Sequence, residues 1–215
     1  MAVLYIFFAV FWSLYYQTTS AWVLQADKMD RHWLGHDWLS SQLQAINSIL
    51  ILVFIPLFSY VIYPLAGRLV TLTPLRKISI GFFLTVPSFW ITAWVEKQIS
   101  LGMQPNIFWQ FAAYVFITAA EILVSITGLE FSYTQAPRQM KSVVMALYFG
   151  SITLGTFFTY LVNKLNAHDG KLYLAGADYY LFFTRLMLAA SVLFIFVAAK
   201  FKTQTIICRS LDKPE

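Results

Sequence analysis

Only 12% of the 215 residues are charged while 59% are hydrophobic and 18% aromatic, far from a soluble domain, in which about a quarter would be charged. The mean hydropathy of +0.66, and the lack of any basic tract interleaved with aromatics, exclude a nucleic-acid-binding domain despite a net charge of +5. The lone cysteine, Cys208, excludes an internal disulfide and leaves no Cys/His metal framework.

What remains is an all-α polytopic membrane protein, with residues 1–215 forming one membrane domain of six spans. The chain opens Met1-Ala2-Val3-Leu4-Tyr5 without a basic stretch. Trp12, Tyr15, Tyr16 and Gln17 interrupt what would be a signal-peptide core, so no cleaved leader is expected. The first span covers about residues 3–24 and gives way to a polar loop holding Asp27, Lys28, Asp30, Arg31 and Asp37. The second, about 43–65, contains Pro56 and Pro64, which membrane helices tolerate where neighbours satisfy the freed carbonyls. Arg68, Arg76 and Lys77 make a short basic connection into the third span, about 78–95, where Pro87 predicts a kink.

Glu96, Lys97, Gly102 and Pro105 mark the next loop, and the fourth span covers about 107–136. A tight basic turn from Pro137 to Lys141 leads to the fifth, about 142–162, in which Gly150 and Gly155 predict close approach of a neighbouring helix. A polar loop from Asn163 to Asp178 precedes the sixth span, about 179–199, and a basic tail. His32, His36 and His168 fall in loops and read as solvated. An even number of spans puts both termini on one side. That side holds nine basic residues (Arg68, Arg76, Lys77, Arg138, Lys141, Lys200, Lys202, Arg209, Lys213) against five on the other (Lys28, Arg31, Lys97, Lys164, Lys171), so it is expected to face the cytoplasm. Arg185, about two turns into the sixth span, reads as a snorkelling side chain.

The fourth span organises the rest. A helix of about 30 residues is about 45 Å long and outspans a bilayer core of about 30 Å. Glu121 falls near its midpoint, where an ionisable side chain costs about 2.5 kcal/mol or more unless it faces a partner or a water-filled cavity. Glu130, nine positions on, is expected on the opposite face about 13 Å along the axis, near the membrane edge, with a different role.

The order Glu121-x-x-x-Ser125-x-Thr127-Gly128-Leu129-Glu130-Phe131-Ser132-Tyr133-x-Gln135-Ala136-Pro137, followed by Met140-Lys141-Ser142, closely resembles the tenth and eleventh helices of the proton-dependent oligopeptide transporter family, a branch of the major facilitator superfamily. Phe11-Trp12, Gln17, Ser20, Trp22 and Leu24-Gln25-Ala26 resemble the family's seventh helix, and Gln42-Leu43-Gln44-Ala45-Ile46-Asn47 its eighth. The resemblance implies one six-helix half, the carboxy-terminal bundle, of a major facilitator fold. It implies a peptide transporter driven by protons, with no other cofactor and no enzymatic activity.

By the same resemblance Glu121 receives the peptide's amino terminus, Trp12, Gln17, Asn47 and Tyr148 line the substrate site, and Glu130, Tyr133 and Gln135 belong to a gate or structural network. Tyr16 stands where eukaryotic members often carry an aspartate, Tyr148 where many have a tryptophan, and Thr156 where an asparagine is common. The Glu-x-x-Glu-Arg motif of the family's first helix does not occur. The expected partners are therefore the bilayer, small peptides and a six-helix amino-terminal half, in a plasma membrane or bacterial inner membrane. A family relative with another substrate, or a non-transporting membrane remnant or scaffold, are the alternatives.

Overall fold

The computed structural model describes residues 2–69, 71–166 and 174–200. Cys208, His168, the loop charges Asp169 and Lys171 and the tail residues Lys202, Arg209 and Lys213 lie outside them. Among the described residues, five continuous helices are long and apolar enough to cross a membrane: Ser40–Arg68, Pro74–Ser100, Phe108–Gln135, Lys141–Asn166 and Ala177–Lys200.

The first span is broken where one helix was expected. Helix α1 (Ala2–Tyr15) passes into a 3-10 turn at Tyr16–Thr19, the chain bends at Ser20, and α2 (Ala21–Ala26) completes the crossing. The polar run Gln17-Thr18-Thr19-Ser20 explains the break, because short hydroxyl side chains compete for the backbone. Thr18 and Thr19 donate to the carbonyls of Tyr15 and Tyr16. In hydrocarbon the carbonyls a bend leaves behind need partners from the protein. Neighbouring helices supply them: Tyr114 donates to Thr18, Tyr180 to Ala21 and Gln110 to Trp22.

In the next connection the strands β1 (His32–Trp33) and β2 (His36–Asp37) pair antiparallel around Leu34-Gly35. Both turn residues have positive φ, 55° and 73°, as a type I′ hairpin turn requires. This loop carried no Asn-Gly or Asp-Gly signal. Asp30 ties it to the loop before the fourth span, accepting from the Asn106 side chain and from the Ile107 backbone.

The second span starts with a 3-10 turn, runs as α3 (Leu43–Leu57), loosens into a π turn at Phe58–Ile62 and ends as α4 (Tyr63–Leu69). The π turn comes just before Pro64, which has no N–H to donate one turn back. The third span, α5 (Pro74–Ser100), is longer than hydropathy implied: Arg76 and Lys77 lie in its first turn and Glu96 and Lys97 in its last, not in loops. Thr73 caps it by accepting from the Arg76 N–H, and the helix continues through Pro87.

The fourth span comprises α6 (Phe108–Glu121), a π turn at Ile122–Ile126 and α7 (Thr127–Gln135). Then come α8 (Lys141–Asn166) and α9 (Ala177–Lys200). The Asn166 side chain joins the ends of their connection, donating to the Leu174 carbonyl and accepting from its N–H.

The core forms where α5 packs along α6 and α9, and α1 along α8. It is strongly aromatic, with Phe8, Phe11, Phe82, Phe89, Phe183 and Phe194 enclosed. A Cβ on Gly155 would collide with the Ala9 carbonyl and sit 2.9 Å from the Ser13 nitrogen, so glycine there sets the spacing of α8 on α1. Gly150 has nothing within 4 Å, so the approach expected at both glycines occurs at one. The second span is peripheral: only 6% of its most apolar stretch is buried.

Candidate functional site

Glu121 closes α6, directly before the π turn. A π turn carries one residue more than the α turn it replaces and disturbs the carbonyl ladder. The Tyr148 hydroxyl donates to the Ser125 carbonyl inside this turn at 3.0 Å. Gly81 of α5 packs against it, where an added Cβ would lie 2.6 Å from Val124 Cγ2.

The extra residue also corrects the expected placement of the two acids. Eight effective α steps in place of nine rotate Glu130 to about 80° from Glu121, rather than about 180°. One neighbour, the second span, accordingly reaches both regions: Asn47 bonds Glu121, and Tyr63 lies beside Thr127 and Glu130.

Around Glu121 three spans converge. Tyr15, the last residue of α1 before the 3-10 turn, donates its hydroxyl to Oε1 at 2.9 Å. Asn47, in the second turn of α3, donates its amide to Oε2 at 3.1 Å and to the Tyr15 oxygen at 3.0 Å. The Thr118 hydroxyl, three residues before Glu121, donates to Asn47 Oδ1. That bond occupies the acceptor end of the amide, so both of its hydrogens are presented to Tyr15 and Glu121. Glu121, Asn47 and Tyr15 are each half-buried. A carboxylate accepts about four hydrogen bonds, and each oxygen here has one donor. Among the described residues the ion pairs are Lys28–Glu96, Arg31–Asp27 and His32–Asp37, and none reaches Glu121. A half-open carboxylate held by neutral donors at mid-membrane can accept a cationic ligand group.

Trp12 is buried one turn before Tyr15, its ring edge-on to the Tyr15 ring at 5.3 Å. Its indole N–H has no partner among the described residues. Gln17 is fully buried, donates to the Ser13 carbonyl and leaves its amide oxygen unpartnered. Tyr148 does not join the Glu121 cluster. It packs against Tyr5 and Phe8, with ring centroids 6.3 and 5.7 Å away, toward the other end of α1. Tyr16 packs on Trp12 and Tyr15, and Thr156 is exposed and bonded within its own helix. Of the second set, Glu130 and Tyr133 are exposed and Gln135 half-buried, with Lys141 Nζ 3.8 Å from the Tyr133 ring centroid.

Sequence reasoning missed the hydroxyl of Tyr15 and the orienting role of Thr118. It also set Glu96 in a loop, whereas that acid is buried, accepting from Gln25 at 2.7 Å with Lys28 at 3.8 Å.

Comparison with known proteins agrees with this architecture. The yeast Saccharomyces cerevisiae peptide transporter PTR2 is 34% identical over 188 residues, covering 75% of this chain and 30% of that protein. Peptide transporter family 1 of Drosophila melanogaster is 40% identical over 96 residues, 45% of this chain and 13% of the relative. The crystal structure of an auto-inhibited POT family peptide transporter superposes with a TM-score of 0.84 at 30% identity, covering 100% of this chain and 42% of that one. The POT family transporter PepTSo also gives 0.84, at 31% identity, covering 92% and 40%. This chain therefore spans about a third of the yeast relative and about two fifths of the solved transporters. It is an integral membrane protein of the major facilitator type. With the POT family profile matching residues 1–175, the chain belongs to the POT family.

Proposed function

We propose that the chain forms the carboxy-terminal half of a proton-coupled di- and tripeptide symporter, in which Glu121 receives the ammonium of the peptide's amino terminus. The observation that carries this reading is the Glu121 carboxylate itself: mid-membrane, half-open, held by Tyr15 and Asn47, with no cation in reach among the described residues. A desolvated ammonium needs such a partner, and charge-assisted hydrogen bonds are about twice as strong as neutral ones. The relatives named above are peptide transporters, which supports peptides as the substrate class. Asn47 offers a donor to the peptide backbone, Trp12 and Gln17 lie behind the cluster on the first span, Tyr148 lines the substrate path further along α1, and Glu130, Tyr133 and Gln135 belong to a gate or structural network at the end bearing the termini.

An amino-terminal six-helix half completes the cavity, since transporters of this type rock one bundle against the other around a shared site. The excess of basic residues supports a cytoplasmic position for both termini, and the eukaryotic relatives reported above favour a plasma membrane over a bacterial inner membrane. A reporter active only outside the cytoplasm, fused after Glu215, stays silent in this topology.

The test is proton-driven dipeptide uptake in vesicles holding this chain alone, a family amino-terminal half alone, or both. Uptake only with both halves, lost in Glu121→Gln, supports the reading. Saturable, protonophore-sensitive uptake by the lone chain overturns the half-transporter assignment, and unchanged uptake by Glu121→Gln in the pair overturns the role of that acid.

A further inference from the structure

We propose that the groove between the start of α5 and the end of α9 is a binding site for an anionic phospholipid. The groove lies at the end of the bundle that carries both termini, has a volume of about 830 Å³ and is lined mostly by apolar surface. That volume is within the range of about 300–1,000 Å³ common for small-molecule sites. Its inner wall is hydrocarbon, from Ile80 and Phe83 of α5 and Ile195 and Ala198 of α9, and no acidic residue lines it.

Arg76 stands at the polar end. Its Nη1 donates to the Thr71 carbonyl at 2.8 Å and to the Thr71 hydroxyl at 2.7 Å. A guanidinium carries five N–H donors, so this anchoring fixes its position and leaves three for an anion. An acyl chain matches the apolar wall and a phosphate matches the guanidinium, and basic pockets between membrane helices at the interface recruit anionic lipids in this way. A soluble phosphate matches only the second feature, and a neutral lipid only the first. The site is separate from the Glu121 cluster and independent of peptide transport.

The test uses the full chain in nanodiscs containing equal amounts of phosphatidylglycerol and phosphatidylcholine, with co-purifying lipid counted by native mass spectrometry. The wild type is expected to retain phosphatidylglycerol preferentially, and Arg76→Gln to lower that preference about fivefold, the effect of about one interfacial cation. Arg185→Gln, which removes an exposed arginine far from the groove, is expected to change nothing. Ala198→Trp, which fills the groove, should release the lipid while circular dichroism confirms that the helices remain. Equal retention of both lipids overturns the proposal, as does an equal loss in the two arginine variants. Displacement of the bound lipid by glycerol phosphate as effectively as by phosphatidylglycerol would show an anion site without an acyl-chain groove, and overturns it too.

Discussion

Glu121 and Glu96 are both acids drawn into the helical bundle, and their surroundings differ in one respect. Glu96, near the end of α5, is 8% exposed, accepts from Gln25 and has the Lys28 ammonium at 3.8 Å. Its charge is answered within the chain, and the bond clamps α2, the short piece beyond the break in the first span, to α5. Glu121 is more open and has only neutral partners. Burying a charge without a counter-charge is costly, so a fold retains such an acid only where something else benefits. The difference separates a structural carboxylate from one available to a ligand.

The sharpest way to break that contrast is to neutralise each acid and read both binding and stability. With an amino-terminal half present, Glu121→Gln should remove one charge-assisted hydrogen bond to the ligand, about 1.5–3 kcal/mol. Dipeptide affinity, measured by equilibrium binding, should then fall about tenfold or more. The unfolding midpoint of the bundle should hardly move, because the amide oxygen can still accept from Tyr15 or Asn47. A large loss of stability with unchanged affinity would make Glu121 the structural acid.

Glu96→Leu should show the reverse pattern. It leaves the buried Gln25 amide with only the Thr92 carbonyl, 3.1 Å away, while the exposed Lys28 ammonium returns to solvent. Leaving a buried polar group short of a partner costs about 1–3 kcal/mol, visible in denaturant unfolding of the purified chain in detergent. Peptide affinity measured in the paired halves should stay within about twofold of wild type.

Glu121 was legible in the sequence because it is an acid near the middle of a long apolar run, and Asn47 through the resemblance of its surroundings. Glu96 was not. Hydropathy averages over a window, so an acid within a turn of a helix end looks like loop whether or not it is buried. Tyr15 was read as an aromatic interruption, since nothing local says whether a tyrosine hydroxyl meets an acid 106 positions away. The π turn after Glu121 leaves no mark on composition, yet it changes which face Glu130 occupies. The bend at Ser20 was hidden for the opposite reason: Gln17 to Ser20 are polar enough to break a helix, but the apolar residues on both sides carry the span average past them.

A smaller effect sharpens the picture of Glu121. Tyr15→Phe keeps the ring stacked on Phe11 and deletes only the hydroxyl between Asn47 and the carboxylate. The acid then keeps one tether, and its orientation toward the ligand is less defined. We expect peptide affinity in the paired halves to weaken about threefold, at the low end of the 0.5–1.5 kcal/mol typical of a neutral hydrogen bond. An increase in affinity would mean that Tyr15 competes with the ligand instead of positioning the acid.

The smallest effect should come from Lys28→Met, and it tests whether the Glu96 clamp depends on its ion pair or on its amide. The Lys28 side chain is 59% exposed and its ammonium sits at 3.8 Å, beyond hydrogen-bond range, whereas the Gln25 amide is buried at 2.7 Å. Exposed pairs contribute about 0–1 kcal/mol and are screened by salt. Methionine keeps the apolar stem of lysine and loses the charge, so unfolding should shift by about 0.5 kcal/mol or less, and the shift should vanish at high salt. If the loss instead matches that of Glu96→Leu and persists at 1 M salt, the counter-charge carries the clamp. The distinction between an acid answered by its own chain and one left for a ligand would then rest on that lysine, and adding a cation beside Glu121 should abolish binding by the same logic.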